Sequence, residues 1–171
     1  LLNKLIEMGG NIQVFNHSLF GKEPIADLNI KSSVLNSCEV TSDDVPNLID
    51  ELPILFIASS FAEGVSSFNQ IEELKHKESN RLKAMQEGLD KMKIKNFLDG
   101  DVFCIEGKGK EYKPPNFLAE SYYDHRIAMS FAIAGLNSSS SIEISSPESI
   151  NTSFPEFVDL GKRLGCNFEI S

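Results

Sequence analysis

Leu82, Met85, Leu89 and Met92 recur at spacings of three and four, the pattern of a helix with one buried face. That helix is predicted to begin near Ser79 or Asn80, either of which can cap it. Two stretches, 52–61 and 127–136, are nearly all apolar and long enough to be helices. Lacking a polar face, they are expected to be enclosed on all sides. Shorter segments at 65–68, 94–98, 102–105 and 141–145 read as strands, and 154–164 as a further helix.

The pattern repeats. Glu7-Met8-Gly9-Gly10-Asn11-Ile12-Gln13-Val14 resembles Arg163-Leu164-Gly165-Cys166-Asn167-Phe168-Glu169-Ile170, each read as a helix end, a glycine stop and a strand. The chain thus holds about two full helix-strand-helix-strand units preceded by the tail of a third, an α/β arrangement in layers. It opens inside a helical pattern, so a fragment of a longer repeat protein is expected. Residues 137–141, rich in serine, read as the turn between a buried helix and an edge strand. Gly107-Lys108-Gly109-Lys110 lacks the preceding strand and following Ser or Thr of a phosphate loop and reads as a surface hairpin.

Composition narrows the function classes. A chain of 171 residues can bury roughly 70% of the surface its unfolded form exposes, enough for a real core. A net charge of −9 argues against nucleic acid or an anionic membrane as the main partner. No apolar run approaches the ~20 residues of a membrane span, and a soluble, cytoplasmic protein is expected. Cys38, Cys104 and Cys166 are odd in number, far apart and without histidines at metal-ligand spacing. They read as buried free thiols, with neither metal nor disulfide framework. His17 and His76 read as loop or surface residues.

Candidate chemistry gathers at two helix starts. Glu72-Glu73-Leu74-Lys75-His76-Lys77-Glu78-Ser79-Asn80-Arg81 holds seven ionisable side chains in ten residues and leads straight into a helix. A cation in a first helical turn opposes the helix dipole unless an anion occupies the same place. Arg81 therefore marks a candidate anion site. Asp124-His125-Arg126 repeats the arrangement before the apolar stretch that follows. For either alone, a solvated Arg behind a cap is the plainer reading.

Asp50-Glu51-Leu52-Pro53-Ile54-Leu55, Phe61-Ala62-Glu63-Gly64, Glu72-Glu73-Leu74 with Lys77-Glu78-Ser79-Asn80-Arg81, Asp124-His125-Arg126-Ile127-Ala128-Met129 and Ser153-Phe154-Pro155-Glu156-Phe157 follow one another in order. In this the chain resembles the C-terminal portion of the enolpyruvylshikimate-phosphate synthase family, the shikimate-pathway enzymes inhibited by glyphosate. The resemblance implies one part of a two-lobe fold, the N-terminal lobe being absent from this chain. Each lobe is built of repeated helix-strand units with buried parallel helices surrounded by sheets. It also implies transfer of the enolpyruvyl group of phosphoenolpyruvate to the 5-hydroxyl of shikimate 3-phosphate, with release of phosphate and without metal or organic cofactor.

By motif position the resemblance makes Asp50 the base facing the shikimate hydroxyl and Glu78 the acid near the enolpyruvyl methylene. Lys77 then lies between target hydroxyl and departing phosphate, Glu73 contacts substrate, Arg81 and Arg126 grip phosphoenolpyruvate, and His125 stands beside Arg126. Guanidinium forks suit a small molecule carrying both carboxylate and phosphate. From the residues alone, Asp50 could equally cap a helix, Glu78 complement a dipole, Lys77 be solvated and His125 belong to a cap. Asn80 stands where the family usually has Asp, so the orientation of Arg81 must come from another acceptor. Thr152 stands where some relatives carry Lys. With the other lobe's cations missing, the fragment is expected to turn over slowly or not at all. A nucleotide-sugar enolpyruvyl transferase, or a non-catalytic half-domain binding an anion or partner protein, remain the alternative readings.

Overall fold

In a computed structural model of the chain, the structure describes residues 1–169. Two β-α-β crossovers organise it. In the first, β3 (Glu39–Val40) leads through a short helix α2 (Val45–Leu48) and the buried helix α3 (Leu52–Ser60) to β4 (Val65–Asn69), which pairs parallel with β3. In the second, β7 (Phe117–Ala119) leads through α5 (His125–Gly135) to β8 (Ile142–Ile144), again parallel. Parallel pairing requires such a crossover, and an apolar helix laid on the sheet supplies it. Helix α4 (Arg81–Lys91) then opens an antiparallel hairpin, β5 (Lys95–Asp99) and β6 (Val102–Glu106), which completes a four-stranded sheet of order β3-β4-β6-β5.

At the N-terminal end, helix α1 (Leu2–Glu7) is likewise followed by a hairpin, β1 (Asn11–Phe20) with β2 (Glu23–Lys31). The repeated glycine stop is a shared helix end. After α1, α4 and α6 (Phe157–Arg163), a left-handed residue turns the chain, Gly9 at φ +94°, Lys93 at +60° and Gly165 at +88°. The next amide then donates back five residues, Gly10 to Leu5, Ile94 to Leu89 and Cys166 to Gly161. This geometry satisfies carbonyls the helix leaves free.

The core lies between the four-stranded sheet and helices α3, α4 and α5, where Phe56 meets Phe68 and Phe103 edge-on at ring distances of 4.6 and 5.2 Å. Helices α4 and α5 approach closely because Gly88 leaves room for the Phe131 ring. Arg126 Nη1 donates to the Asp50 carbonyl at 2.8 Å, tying the start of α5 to the start of α3. The far ends, Phe61 and Asn137, line one cleft together, so the two helices run side by side in the same direction.

Several expectations need correcting. The apolar helices are not enclosed on every side: Ile54, Met129 and Ile133 border an open cleft between α3 and α5, roofed at one end by Phe154 and Phe157. Residues 107–110 form no hairpin, and a strand does precede them, β6 ending at Glu106. The amides of Lys108 and Gly109 donate to the carbonyls of Ser60 and Ala62, closing the end of α3. Gly107 sits so near the carbonyls of Ser59 and Ala62 that a Cβ would lie 2.2 Å from the Ala62 oxygen. The helix expected over 154–164 begins later, after a 3-10 turn at Pro147–Thr152. Residues Cys166–Glu169 form no strand, and Phe168 instead stacks on Phe157 at 5.4 Å. Ile170, with which the expected closing strand ended, lies outside the described residues. Cys38 and Cys104 are buried free thiols, whereas Cys166 is only half-buried. Burial pushes both buried thiols up from their ordinary pKa.

Gly88→Ala sets helix propensity, which favours Ala by about 1 kcal/mol, against a Cβ placed 1.9 Å from Cζ of the buried Phe131. The clash wins, with an expected net loss of about 1–3 kcal/mol in urea unfolding. Gly135→Ala, whose Cβ would find ordinary contact at 3.6 Å from Ile142, is expected to be neutral or stabilising.

Candidate active site

The starts of α3, α4 and α5 converge, and with them Asp50 and, from the two charged motifs, Glu73, Lys77, Glu78, Arg81, Asp124 and Arg126. Arg81 is the first residue of α4 and is wholly buried. Its Nε donates to Asp124 Oδ2 at 2.8 Å, its Nη1 to Asp50 Oδ1 at 3.0 Å, and its Nη2 to Glu78. The anion required at this helix start is therefore supplied by the protein's own carboxylates. Arg81 is thus enclosed by these carboxylates. Burial works against its charge, but the hydrogen bond and charge of Asp124, joined by Glu78 and Asp50, outweigh burial and raise its pKa.

Asn80 caps α4, its side chain accepting from the Lys83 amide at 3.0 Å, and makes no hydrogen bond to Arg81. The acceptor that orients the guanidinium is Asp124. Wholly buried, Asp124 also caps α5 by accepting from the Arg126 amide at 2.9 Å and takes the Ser79 hydroxyl at 3.0 Å.

Asp50 lies in the turn between α2 and α3 and caps neither helix. Its carboxylate is half exposed, held by Arg81 and faced by Lys77 Nζ at 3.6 Å. Partial burial raises its pKa, yet the charges of Lys77 and Arg126 and the Arg81 hydrogen bond bring it below the usual carboxylate value. Lys77 is no solvated surface charge: its Nζ lies 2.6 Å from Glu73 and is shared with Asp50, and the Glu73 hydrogen bond leads the causes that raise its pKa. Glu78 is exposed apart from its pairing with Arg81.

His125, the first residue of α5, is half-buried and makes no side-chain hydrogen bond among the described residues. Arg126 is about one-third exposed, with Glu51 the nearest carboxylate at 3.9 Å. Of the two site arginines it is the one with an open edge. His17 and His76 are exposed and apart from the ion pairs of the site. Thr152 turns its hydroxyl inward to the Ser149 carbonyl at 2.7 Å.

The paired groups comprise five carboxylates, Asp50, Glu51, Glu73, Glu78 and Asp124, against three cations, Lys77, Arg81 and Arg126. The arrangement sets two half-exposed carboxylates against buried or part-buried cations, beside one guanidinium whose open edge can take an anion. Sequence reasoning missed the acid at its centre. Asp124 was legible only as a cap, because its contact with Arg81 spans 43 residues of chain. Among the described residues no group of three or more acid, His and Cys side chains is placed to hold a metal. Among the described residues, no helix is long and apolar enough to cross a membrane.

The fold is that of the enolpyruvyl transferases. The family model for EPSP synthase (3-phosphoshikimate 1-carboxyvinyltransferase) matches residues 1–160. The chain belongs to the EPSP synthase family. It is 43% identical to the 3-phosphoshikimate 1-carboxyvinyltransferase of Zymomonas mobilis over 99% of its length, and 40% identical to that of Petrotoga mobilis over 96%. It spans about 38% of the length of these curated relatives. A solved structure of EPSP synthase from Acinetobacter baumannii superposes with a TM-score of 0.93 at 42% identity, over 99% of this chain and 39% of that one. The enolpyruvyl transferase NikO from Streptomyces tendae shares the fold, with a TM-score of 0.63 at 18% identity over 97% of this chain and 35% of that one.

A carboxyl that titrates lower in the folded than in the unfolded chain stabilises the fold above its ordinary pKa, and the benefit is lost as pH falls through the folded value. Asp50 is such a group, as is Asp44, held by the Thr41 amide and hydroxyl. Urea midpoints are therefore expected to fall as pH drops below about 4. Asp50→Asn should lose less than the parent over that window, whereas parallel curves would contradict the assignment.

Proposed function

We propose that the chain is the C-terminal part of a two-lobe enolpyruvyl transferase. This enzyme joins phosphoenolpyruvate to the 5-hydroxyl of shikimate 3-phosphate and releases inorganic phosphate in aromatic amino acid biosynthesis in the cytoplasm. The observation that carries the reading is the meeting of Asp50, Lys77 and Glu78 around buried Arg81, with the open edge of Arg126 alongside.

In the addition step the shikimate oxygen bonds to the central carbon of the enol as its hydroxyl proton passes to Asp50, and Glu78 protonates the methylene carbon. In the elimination the carbon–oxygen bond to phosphate breaks, the methyl group returns a proton to Glu78, and the phosphate leaves as hydrogen phosphate with the proton that Asp50 took from the hydroxyl, which resets both carboxyls. Lys77, between Asp50 and Glu73, offers its ammonium to the target hydroxyl and the departing phosphate. Arg126 takes a carboxylate or phosphate edge, with His125 beside it. Arg81, behind them, pairs with both working carboxylates and holds them in place.

Five carboxylates against three cations leave this half-site negative, so two multiply charged anions need further cations. The reading assigns these to the N-terminal lobe, which makes that lobe the obligatory partner. Phosphate release from phosphoenolpyruvate plus shikimate 3-phosphate is therefore expected only when the chain is mixed with the N-terminal lobe of a close relative, and Asp50→Ala is expected to abolish it. Steady turnover by the pure chain alone, lost in Asp50→Ala, would overturn the half-site reading.

A further inference from the structure

The two arginine-bearing helix starts are joined through one side chain to which none of the roles above gives a part in the reaction. Asp124 is wholly buried, and each of its oxygens has a separate task. Oδ1 caps α5 by accepting from the Arg126 amide, while Oδ2 accepts from both Arg81 Nε and the Ser79 hydroxyl. Capping needs only the first. Asn serves as well as Asp at an N-cap, so nothing in the cap calls for a second, charged oxygen.

We propose that Asp124 is the positioning residue of the site, fixing the Arg81 guanidinium by its Nε edge so that both Nη groups are aimed at Asp50 and Glu78. A guanidinium is planar, so anchoring Nε sets the plane in which Nη1 and Nη2 lie. With Nε held on Asp124, Nη1 reaches Asp50 and Nη2 reaches Glu78, the two carboxylates that the proposed reaction sets to work. The same oxygen fixes Ser79, the residue next to Glu78 and two before Arg81, and so pins the approach to α4 against the start of α5. The proposal rests on the functional reading of Asp50 and Glu78 for its consequence, but its geometry can be tested without turnover.

The sequence contains only three arginines, Arg81, Arg126 and Arg163, and of these only Arg81 is buried. In nitrogen-resolved NMR of the 171-residue chain, one arginine Nε–H signal should therefore exchange slowly with water. Asp124→Asn keeps an oxygen for the Arg126 amide but turns an NH2 group toward Arg81 Nε–H. The slow signal is expected to shift and to exchange at least tenfold faster. In the mixture with the N-terminal lobe, phosphate release should fall at least tenfold. If that variant fails to fold, Ser79→Ala, which removes a donor from the same oxygen, is expected to shift the Arg81 signal while leaving the others in place.

A folded Asp124→Asn chain whose Arg81 signal is as slow and unshifted as the parent's would overturn the proposal, leaving Asp124 a helix cap only. So would an unshifted signal in Ser79→Ala. Failure of the functional reading looks different: no turnover in any mixture, with the Arg81 signal still lost in Asp124→Asn.

Discussion

A guanidinium with no exposed surface, held by three carboxylates from three parts of the chain, is the interaction on which the rest of the site depends. Removing a charge of this size from water is costly, and the cost is offset only where each polar edge is matched. Arg81 meets that condition with Asp124 on Nε, Asp50 on Nη1 and Glu78 on Nη2. Because the partners come from the turn before α3, the segment before α4 and the cap of α5, satisfying one side chain fixes three helix starts relative to one another. Asp50 is then available to Lys77, and Arg126, tied through the Asp50 carbonyl, keeps its outer edge open.

The fold brings these starts together by repetition. Two apolar helices cross between parallel strand pairs, and both begin at the charged end of the molecule. Gly88 lets α4 lie against Phe131 of α5, bringing Arg81 within reach of Asp124. Beyond the charged end the cleft between α3 and α5 is apolar, lined by Pro53, Ile54, Met129 and Ile133. The charged groups thus sit at the rim of an apolar wall, where their interactions with one another are stronger than on an open surface.

Much of this was legible in the sequence wherever the signal is local. The three-and-four spacing of Leu82, Met85 and Leu89 marks α4, with Asn80 the one of two candidate caps that serves, and the glycine stops mark the helix ends at Gly9 and Gly165. Lys93 performs the same left-handed turn without being glycine, so composition could not flag it. Periodicity also cannot distinguish a helix enclosed on all sides from one bordering a cleft, because both read as unbroken apolar runs. For that reason the exposure of Ile133 was missed. The site residues were legible by motif, but their partners were not. Arg81 appeared as a cation awaiting an external anion because the acids that satisfy it, Asp50 and Asp124, lie 31 and 43 residues away.

The most direct test of this account is a double-mutant cycle on stability between Arg81 and Asp124, using Arg81→Met, Asp124→Asn and the pair together in urea unfolding. If the buried ion pair organises the helix starts, each single change leaves a charge or a buried donor unmatched. The double variant should then cost less than the sum of the two, with a coupling of about 2 kcal/mol or more. Additive losses would mean that the two side chains act independently and would contradict the account.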